Sequence, residues 1–206
     1  MIKIEEKKDS DQSYGVLCCS PKYRRATLVG ITLSVFSQLT GINAIMFYSN
    51  MIFKGLSLTA TFVTALIGIV NFITSIIGLI LLVFFGRKIL MLVGNAAMAI
   101  LLLTLAAFSF SHDSIGMIVC VLLFISFFEF STGPIVWLYT AEIMKDKAMS
   151  IATFLNWTLS LAISIAIPYM VKYVSVGYIF LMFGLFTTIG TIYIAIFMRE
   201  TMGKTQ

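Results

Sequence analysis

Charged residues divide this chain into six long stretches that are almost entirely apolar or neutral. Five of the stretches contain no Asp, Glu, Lys or Arg, and the sixth is interrupted only by Glu129. Each is longer than the roughly 20 residues that a helix needs to cross a bilayer core, and none shows the alternating strands of a membrane barrel. The pattern predicts six transmembrane helices, at about 27–51, 60–84, 89–110, 115–140, 149–171 and 177–198.

The polar segments outside these helices are short. Residues 1–25 read as a polar tail without the hydrophobic core of a signal peptide, 26–198 as the membrane bundle, and 199–206 as a second tail. No soluble domain interrupts the bundle. Cys18 and Cys19 lie in the first tail, where they are either free thiols or sites of palmitoylation.

The composition agrees with a membrane protein and excludes most other classes. Hydrophobic residues make up 60% of the chain and charged residues 11%, with a mean hydropathy of +1.03. A soluble domain averages about 45–50% apolar and about 25% charged residues, so a soluble enzyme or a nucleic-acid binder is excluded. Three cysteines and one histidine form no disulfide framework and no metal-ligand pattern, and no cofactor is expected.

The basic residues are distributed unevenly between the two sides of the predicted bundle. If the amino terminus is cytoplasmic, only Lys54 and Lys172 of the 14 lysines and arginines lie outside. The positive-inside rule therefore places both termini in the cytoplasm. The same distribution explains the net charge of +5 without nucleic-acid binding.

Spans 1 and 4 carry residues that weaken a helix in mid-membrane. Thr40-Gly41 lies in span 1, and Thr132-Gly133-Pro134 lies in span 4. Glycine and proline weaken the helix and leave backbone N–H and C=O groups without hydrogen-bond partners. Lipid cannot satisfy such groups, so these positions are expected to face a cavity or other protein. A 3+3 inverted repeat would place the two interruptions in equivalent positions beside a substrate site, with Gly133-Pro134 as a bending point.

Polar side chains within the spans are the candidates for a binding site. They are four amides and one carboxylate, namely Gln38, Asn43, Asn71, Asn156 and Glu129. An amide both donates and accepts hydrogen bonds, which suits the hydroxyls of a sugar. A carboxylate in a span is costly unless water or a partner reaches it. The alternative for each of the five is a hydrogen bond between helices.

Two tryptophans complete the candidate site. Trp137 follows Glu129 by about two turns, so a continuous helix would place both on one face. Trp157 adjoins Asn156. An aromatic ring can pack against the C–H face of a pyranose, and the alternative is an interfacial aromatic belt. No nucleophile–base pair or phosphate-binding loop appears, so an enzyme is not expected.

Several ordered motifs resemble those of sugar porters of the major facilitator superfamily. The segment SQLTGINAIMFY at 37–48 is similar to the family's seventh-span signature QQLTGINAIMYY. Gly86-Arg87-Lys88 resembles the loop between spans 8 and 9. The remaining matches are Asn71, Phe128-Glu129 with Gly133-Pro134, Trp137 and Glu142, Asn156-Trp157, and the RETMGKT tail at 199–205.

The resemblance implies an all-α fold that is the carboxy-terminal six-helix half of such a transporter. It implies that the residues around a hexose are Gln38, Asn43, Asn71, Glu129, Gly133, Trp137, Asn156 and Trp157. It further implies gating roles, with Tyr48 at an outer gate and Arg87, Lys88 and Glu142 in a cytoplasmic salt-bridge lock. Pro134 marks the bending point.

The chain also departs from the family pattern. Ser37 stands where the family has a glutamine, which removes one hydroxyl-binding amide, and Val83-Phe84-Phe85 replaces charged residues before Gly86, which weakens the lock. The segment between Glu142 and Asn156 is shortened. Arg199 and Met202 replace the proline and lysine of the tail motif.

The sequence therefore predicts transport of a monosaccharide such as glucose by alternating access, through a multi-pass protein of the plasma membrane. The expected partners are the sugar, the lipid bilayer, and either a separate amino-terminal half or a second copy of the chain. Two alternatives remain open at this point. One is a non-transporting sugar sensor or regulatory partner, and the other is an inactive truncated transporter.

Overall fold

A computed structural model of the protein describes residues 21–46 and 60–201, and these residues form helices joined by short connections. The helices are α1 (Pro21–Leu39), α2 (Ala60–Phe84), α3 (Arg87–Ser111), α4 (Ser114–Glu129), α5 (Thr132–Ile143), α6 (Asp146–Tyr173) and α7 (Val176–Phe197). Six helical segments are long and apolar enough to cross a membrane, with α4 and α5 together forming one of them. The predicted all-α fold with six spans is confirmed.

The first span is interrupted where the Thr40-Gly41 pair predicts an interruption. Helix α1 ends at Leu39, and the chain becomes helical again over residues 42–46. Gly41 has a φ of +79°, a left-handed conformation that side-chain-bearing residues seldom adopt. A Cβ atom at this position would lie 2.7 Å from the ring of Phe183. Glycine is therefore required here by its backbone conformation and by the close approach of α7.

The fourth span is also interrupted, but the break precedes the predicted bending point. Helix α4 ends at Glu129 and α5 begins at Thr132, so Gly133 and Pro134 lie in the first turn of α5. Proline has no N–H to donate to the carbonyl four residues before it, and its ring clashes with that carbonyl, here that of Phe130. The helix is consequently broken at residues 130–131, and the prediction of a bend at Gly133-Pro134 itself is wrong.

Small residues on two neighbouring helices allow a close approach to this break. A Cβ atom at Gly78 of α2 would lie 2.6 Å from Cα of Phe130, and one at Gly94 of α3 would lie 2.0 Å from Oγ of Ser131. Ser131 donates its hydroxyl to the carbonyl of Phe127. The break is thus enclosed by backbone and small side chains, which satisfies groups that lipid could not.

The buried core follows α3, α4 and α7, while α2 and α6 lie at the outside of the bundle. Helix α3 packs most extensively against α7, and α6 packs against α1. Only 11% of the α2 span is buried, compared with 56% of the span that contains α1. The exposed side chains of α2 are apolar, including Phe72, Leu79 and Ile80. An apolar surface of this kind suits lipid or another helical bundle, and the chain is an integral multi-pass membrane protein.

Candidate functional site

Polar side chains of α1, α6 and the segment after the first break form one hydrogen-bonded group. We call it the amide cluster, and its members are Ser37, Gln38, Asn43, Asn156 and Ser160, together with Ser34, which takes part through its backbone oxygen. The break at Gly41 places Asn43 close to Gln38 although the two are five residues apart in the chain. Three of the predicted sugar-binding amides therefore lie together.

Asn156 is the buried anchor of the amide cluster. Its side chain is 1% exposed, and its Nδ2 donates to the backbone oxygen of Ser34 at 2.9 Å and to Oγ of Ser37 at 3.1 Å. Its Oδ1 accepts from Nε2 of Gln38 at 3.0 Å. Both donors of this amide and its acceptor are thereby engaged within the protein.

Gln38 and Asn43 are half-buried and retain unused hydrogen-bonding capacity. Nδ2 of Asn43 donates to Oε1 of Gln38 at 2.6 Å and to Oγ of Ser160 at 2.7 Å. Oδ1 of Asn43 accepts no hydrogen bond from the described residues, and Gln38 donates only one of its two N–H groups to them. This pair offers an acceptor and a donor at one place, which is the combination that a sugar hydroxyl uses.

A second group joins α2 to the end of α4. We call it the carboxylate cluster, and it consists of Asn71, Ser75 and Glu129. Nδ2 of Asn71 lies 2.7 Å from Oε1 of Glu129, and Oγ of Ser75 lies 2.9 Å from Oε2. Both carboxylate oxygens thus accept from neutral donors on the neighbouring helix. These bonds reduce the cost of placing Glu129 within a span.

The two tryptophans differ from what helical spacing predicts. Trp137 is 37% exposed on α5, but the break at 130–131 separates α5 from the helix that carries Glu129. The helix between the two residues is therefore not continuous, and a shared face for their side chains stays a prediction. Trp157 is 63% exposed, whereas its neighbour Asn156 is buried, so the two project from different sides of α6. A Cβ atom at Gly133 would lie 3.3 Å from both the ring and the carbonyl oxygen of Phe128.

An ion pair joins the start of α3 to the end of α5 at one end of the bundle. Nη2 of Arg87 lies 2.9 Å from Oε1 of Glu142, and both side chains are half-buried. Oγ1 of Thr201 donates to Oε2 of the same carboxylate at 2.6 Å. The tail that follows α7 is thereby connected to the end of α5 and the start of α3.

Glu200 caps the amino-terminal end of α3. Its carboxylate accepts from the backbone N–H groups of Arg87 at 2.9 Å and Lys88 at 3.0 Å. A negative charge at this position is stabilised by the unpaired N–H groups and dipole of the helix. The ammonium of Lys88 donates instead to the carbonyl of Ala195 at 3.0 Å. Of the two basic residues expected near Glu142, Arg87 is the one that pairs with it.

Some members of these groups were not predicted as site residues. Ser160, Ser75 and Ser34 each lie four residues from a predicted amide on the same helical face. A search for hydroxyl residues at this spacing could have found them. Glu200 was recognised only as part of the tail motif. The predicted gate residue Tyr48 and the cysteine pair at 18–19 lie outside the described residues.

Within residues 21–46 and 60–201, no group of three or more His, Cys, Asp or Glu side chains is arranged to hold a metal ion. The hydroxyls and amides of the two clusters, with the one carboxylate of Glu129, suit recognition of a neutral polar molecule by hydrogen bonds. They offer no pair of groups placed for bond chemistry.

Comparison with known proteins gives a consistent result. The family model described as "Sugar (and other) transporter" matches residues 1–206. A facilitated trehalose transporter of Drosophila willistoni is 36% identical over 192 residues, which are 86% of this chain and 22% of that protein. An arabinose-proton symporter of Bacillus subtilis is 34% identical over 212 residues, which are 98% of this chain and 45% of that protein. The chain thus spans less than half the length of these relatives.

Solved structures agree with the sequence relatives. A double tryptophan mutant of XylE superposes with a TM-score of 0.81 at 27% identity, over 88% of this chain and 41% of that one. The proton:xylose symporter XylE bound to 6-bromo-6-deoxy-D-glucose superposes with a TM-score of 0.77 at 25% identity, over 87% and 41%. These neighbours are transporters and not enzymes. The chain therefore belongs to the sugar transporter family of the major facilitator superfamily.

Proposed function

We propose that this chain supplies the carboxy-terminal half of a carrier that moves a monosaccharide, such as glucose, across the plasma membrane by alternating access. The amino-terminal half is either a separate bundle or a second copy of the chain. Both termini lie in the cytoplasm, where most basic residues are expected. The family membership and the sugar substrates named for the relatives support the sugar as cargo.

The observation that carries this proposal is the unused hydrogen-bonding capacity of the Gln38 and Asn43 side chains. Their side chains are fixed against each other at 2.6 Å, and each retains a donor or acceptor without a partner in the described structure. Preorganised neutral groups bind a neutral sugar without the cost of desolvating a charge. Sugar hydroxyls would bind between Oδ1 of Asn43 and the second N–H of Gln38.

Asn156 has a different role in this proposal from the one that the resemblance implies. Because its amide is buried and engaged on three sides, it holds Gln38 and Ser37 in place and does not itself bind the sugar. We therefore assign Asn156 as a positioning residue. Trp157 projects to the outside and is assigned to lipid or to the partner half.

The carboxylate cluster forms a second polar wall. Oδ1 of Asn71 accepts no hydrogen bond from the described residues, so it too can accept from a sugar hydroxyl. Glu129 orients Asn71 through the bond to its Nδ2. Trp137, at 37% exposure on the helix after the break, provides an apolar plate for the sugar ring.

Gating would use the two interrupted spans and the ion pair at one end of the bundle. The breaks at Gly41 and at 130–131 permit the two parts of each span to move relative to each other. The Arg87–Glu142 pair, supported by Thr201, would hold one conformation closed at the cytoplasmic end. Opening that end requires this pair to separate.

Uptake of radiolabelled glucose into proteoliposomes tests the proposal. We expect saturable, protein-dependent uptake when this chain is reconstituted alone or together with a matching amino-terminal half, and we expect Asn43→Leu to reduce it. Absence of uptake in both preparations contradicts the transport proposal. Sugar binding without uptake would favour a sensor.

A further inference from the structure

A cavity of about 410 Å³ lies at the same end of the bundle as the Arg87–Glu142 pair. It is formed by the beginning of α1, the end of α5 and the segment after α7. The lining residues are Arg25, Ala26, Val29, Tyr139, Ile143, Phe197, Arg199, Glu200 and Thr201. The cavity is distinct from the two polar clusters, since it shares no residue with either.

Two guanidinium groups without a partner among the described residues line this cavity. Arg25 and Arg199 are exposed, and neither side chain has a hydrogen-bond or ion-pair partner in the described part of the chain. The one lining carboxylate, that of Glu200, is already engaged by the N–H groups at the start of α3. The cavity lining thus holds two guanidinium groups against one carboxylate, which leaves a formal charge of +1.

The cavity lining also includes apolar side chains. Val29, Ile143 and Phe197 contribute hydrocarbon surface, and Val29 lies one turn further along α1 than Arg25. The hydroxyl of the buried Tyr139 accepts from the backbone N–H of Arg199 at 3.1 Å and keeps its own hydrogen for donation. All three elements that form the cavity are ends of membrane spans or continue from one. A lining that combines guanidinium groups with hydrocarbon, at the membrane boundary, fits an amphiphile.

We propose that this cavity binds one anionic phospholipid of the inner leaflet. The phosphate diester lies between the guanidinium groups of Arg25 and Arg199, where paired N–H donors match phosphate oxygens. The upper part of an acyl chain packs against Val29, Ile143 and Phe197. The apolar wall and the position at the end of the spans favour a lipid over a free phosphate.

The bound lipid would connect the start of α1 to the tail after α7. Residues 200 and 201 of that tail contact the start of α3 and Glu142, so the site adjoins the ion pair without using it. Occupancy of the cavity is expected to stabilise the folded bundle. This inference does not depend on transport, because it concerns a lipid and not the sugar.

The test is lipid-dependent thermal stabilisation of the full chain purified in a neutral detergent. Phosphatidylglycerol is titrated against phosphatidylcholine, and the unfolding temperature is recorded for the unsubstituted protein and for Arg25→Gln, Arg199→Gln and Arg24→Gln. Arg24 is the matched control, since it is adjacent to Arg25, exposed and equal in charge but does not line the cavity. Comparing the two lipids within each variant removes differences in intrinsic stability.

We expect phosphatidylglycerol to raise the unfolding temperature by several degrees with saturation, and phosphatidylcholine to have little effect. Arg25→Gln and Arg199→Gln should each raise the half-saturating lipid concentration about fivefold or more, while Arg24→Gln leaves it within twofold. Three results overturn the proposal. In the first, Arg24→Gln raises the half-saturating lipid concentration as much as Arg25→Gln and Arg199→Gln do. In the second, phosphatidylcholine raises the unfolding temperature as much as phosphatidylglycerol. In the third, inorganic phosphate alone gives the full rise in unfolding temperature.

Discussion

The side-chain amides of Gln38 and Asn156 are joined by a hydrogen bond of 3.0 Å, although 118 residues separate them in the chain. This bond links the interrupted first span to α6. Gln38 in turn accepts from Asn43 beyond the break, so a buried residue of one helix fixes two half-buried amides of another span. In the proposed function, such an arrangement keeps a neutral binding surface rigid before the sugar arrives.

We expect Asn156→Leu to weaken sugar binding although Asn156 does not contact the sugar in our proposal. Loss of one anchoring hydrogen bond costs about 0.5–1.5 kcal/mol, which corresponds to roughly a 2- to 10-fold higher dissociation constant. Quenching of tryptophan fluorescence on sugar addition measures the constant. Thr158→Val is the control, since Thr158 is exposed on the same helix and bonds only to its own turn. Equal affinities for the two variants would contradict the positioning role.

The carboxylate cluster predicts different outcomes for two substitutions of Glu129. In Glu129→Gln the side-chain oxygen can still accept from Asn71, and the new N–H₂ can donate to Ser75, so the unfolding temperature should change little. In Glu129→Leu both donors lose this partner, and the free energy of unfolding should fall by about 1–3 kcal/mol. Thermal unfolding in detergent distinguishes the two. If Glu129→Gln is as damaging as Glu129→Leu, a charged carboxylate is required there.

The close approach of α2 to the break in span 4 predicts a strong effect of one added methyl group. Gly78→Ala places Cβ 2.6 Å from backbone Cα of Phe130, which must shift, and overpacking of this kind typically costs about 1–3 kcal/mol. Gly68→Ala on the same helix meets no atom within 4 Å. It should be neutral or slightly stabilising, because alanine favours a helix over glycine. Thermal unfolding of both variants checks this, and equal destabilisation would argue against close packing at Gly78.

The Arg87–Glu142 pair should show a measurable but modest coupling energy. Both side chains are half-buried, so solvent screening limits the interaction to about 0.2–1 kcal/mol. A double-mutant cycle with Arg87→Gln and Glu142→Gln, followed by reversible denaturation in mixed micelles, measures it. The coupling should decrease at high salt. A coupling of zero at low salt would remove the pair from the proposed lock.

The six spans could be predicted because membrane helices are specified by long apolar runs, which the sequence shows directly. The break at Gly41 could also be predicted, since the Thr-Gly pair weakens the helix at that position. The break in span 4 was misplaced because Pro134 acts on the carbonyl four residues earlier, at Phe130. A bend therefore occurs before the proline and not at it.

The candidate site was predictable in part. The amides were found because a polar side chain within an apolar membrane span costs free energy, so its presence indicates a role in binding or packing. Their division into two hydrogen-bonded groups could not be read from the chain, because it depends on which helices pack together. The role of Asn156 as a buried anchor depends on its burial, and the pairing of Arg87 with Glu142 was expected only from the resemblance to the family. The inverted repeat and the site as a whole remain predictions.

Equilibrium binding of radiolabelled glucose to the purified full chain in lipid nanodiscs tests the central claim most directly. The unsubstituted protein should bind glucose saturably, Asn43→Leu should weaken binding about tenfold by removing the open acceptor and its bond to Gln38, and Thr158→Val should leave it unchanged. Saturable binding that is equal in all three proteins would contradict the assignment of Gln38 and Asn43 as the sugar-binding pair.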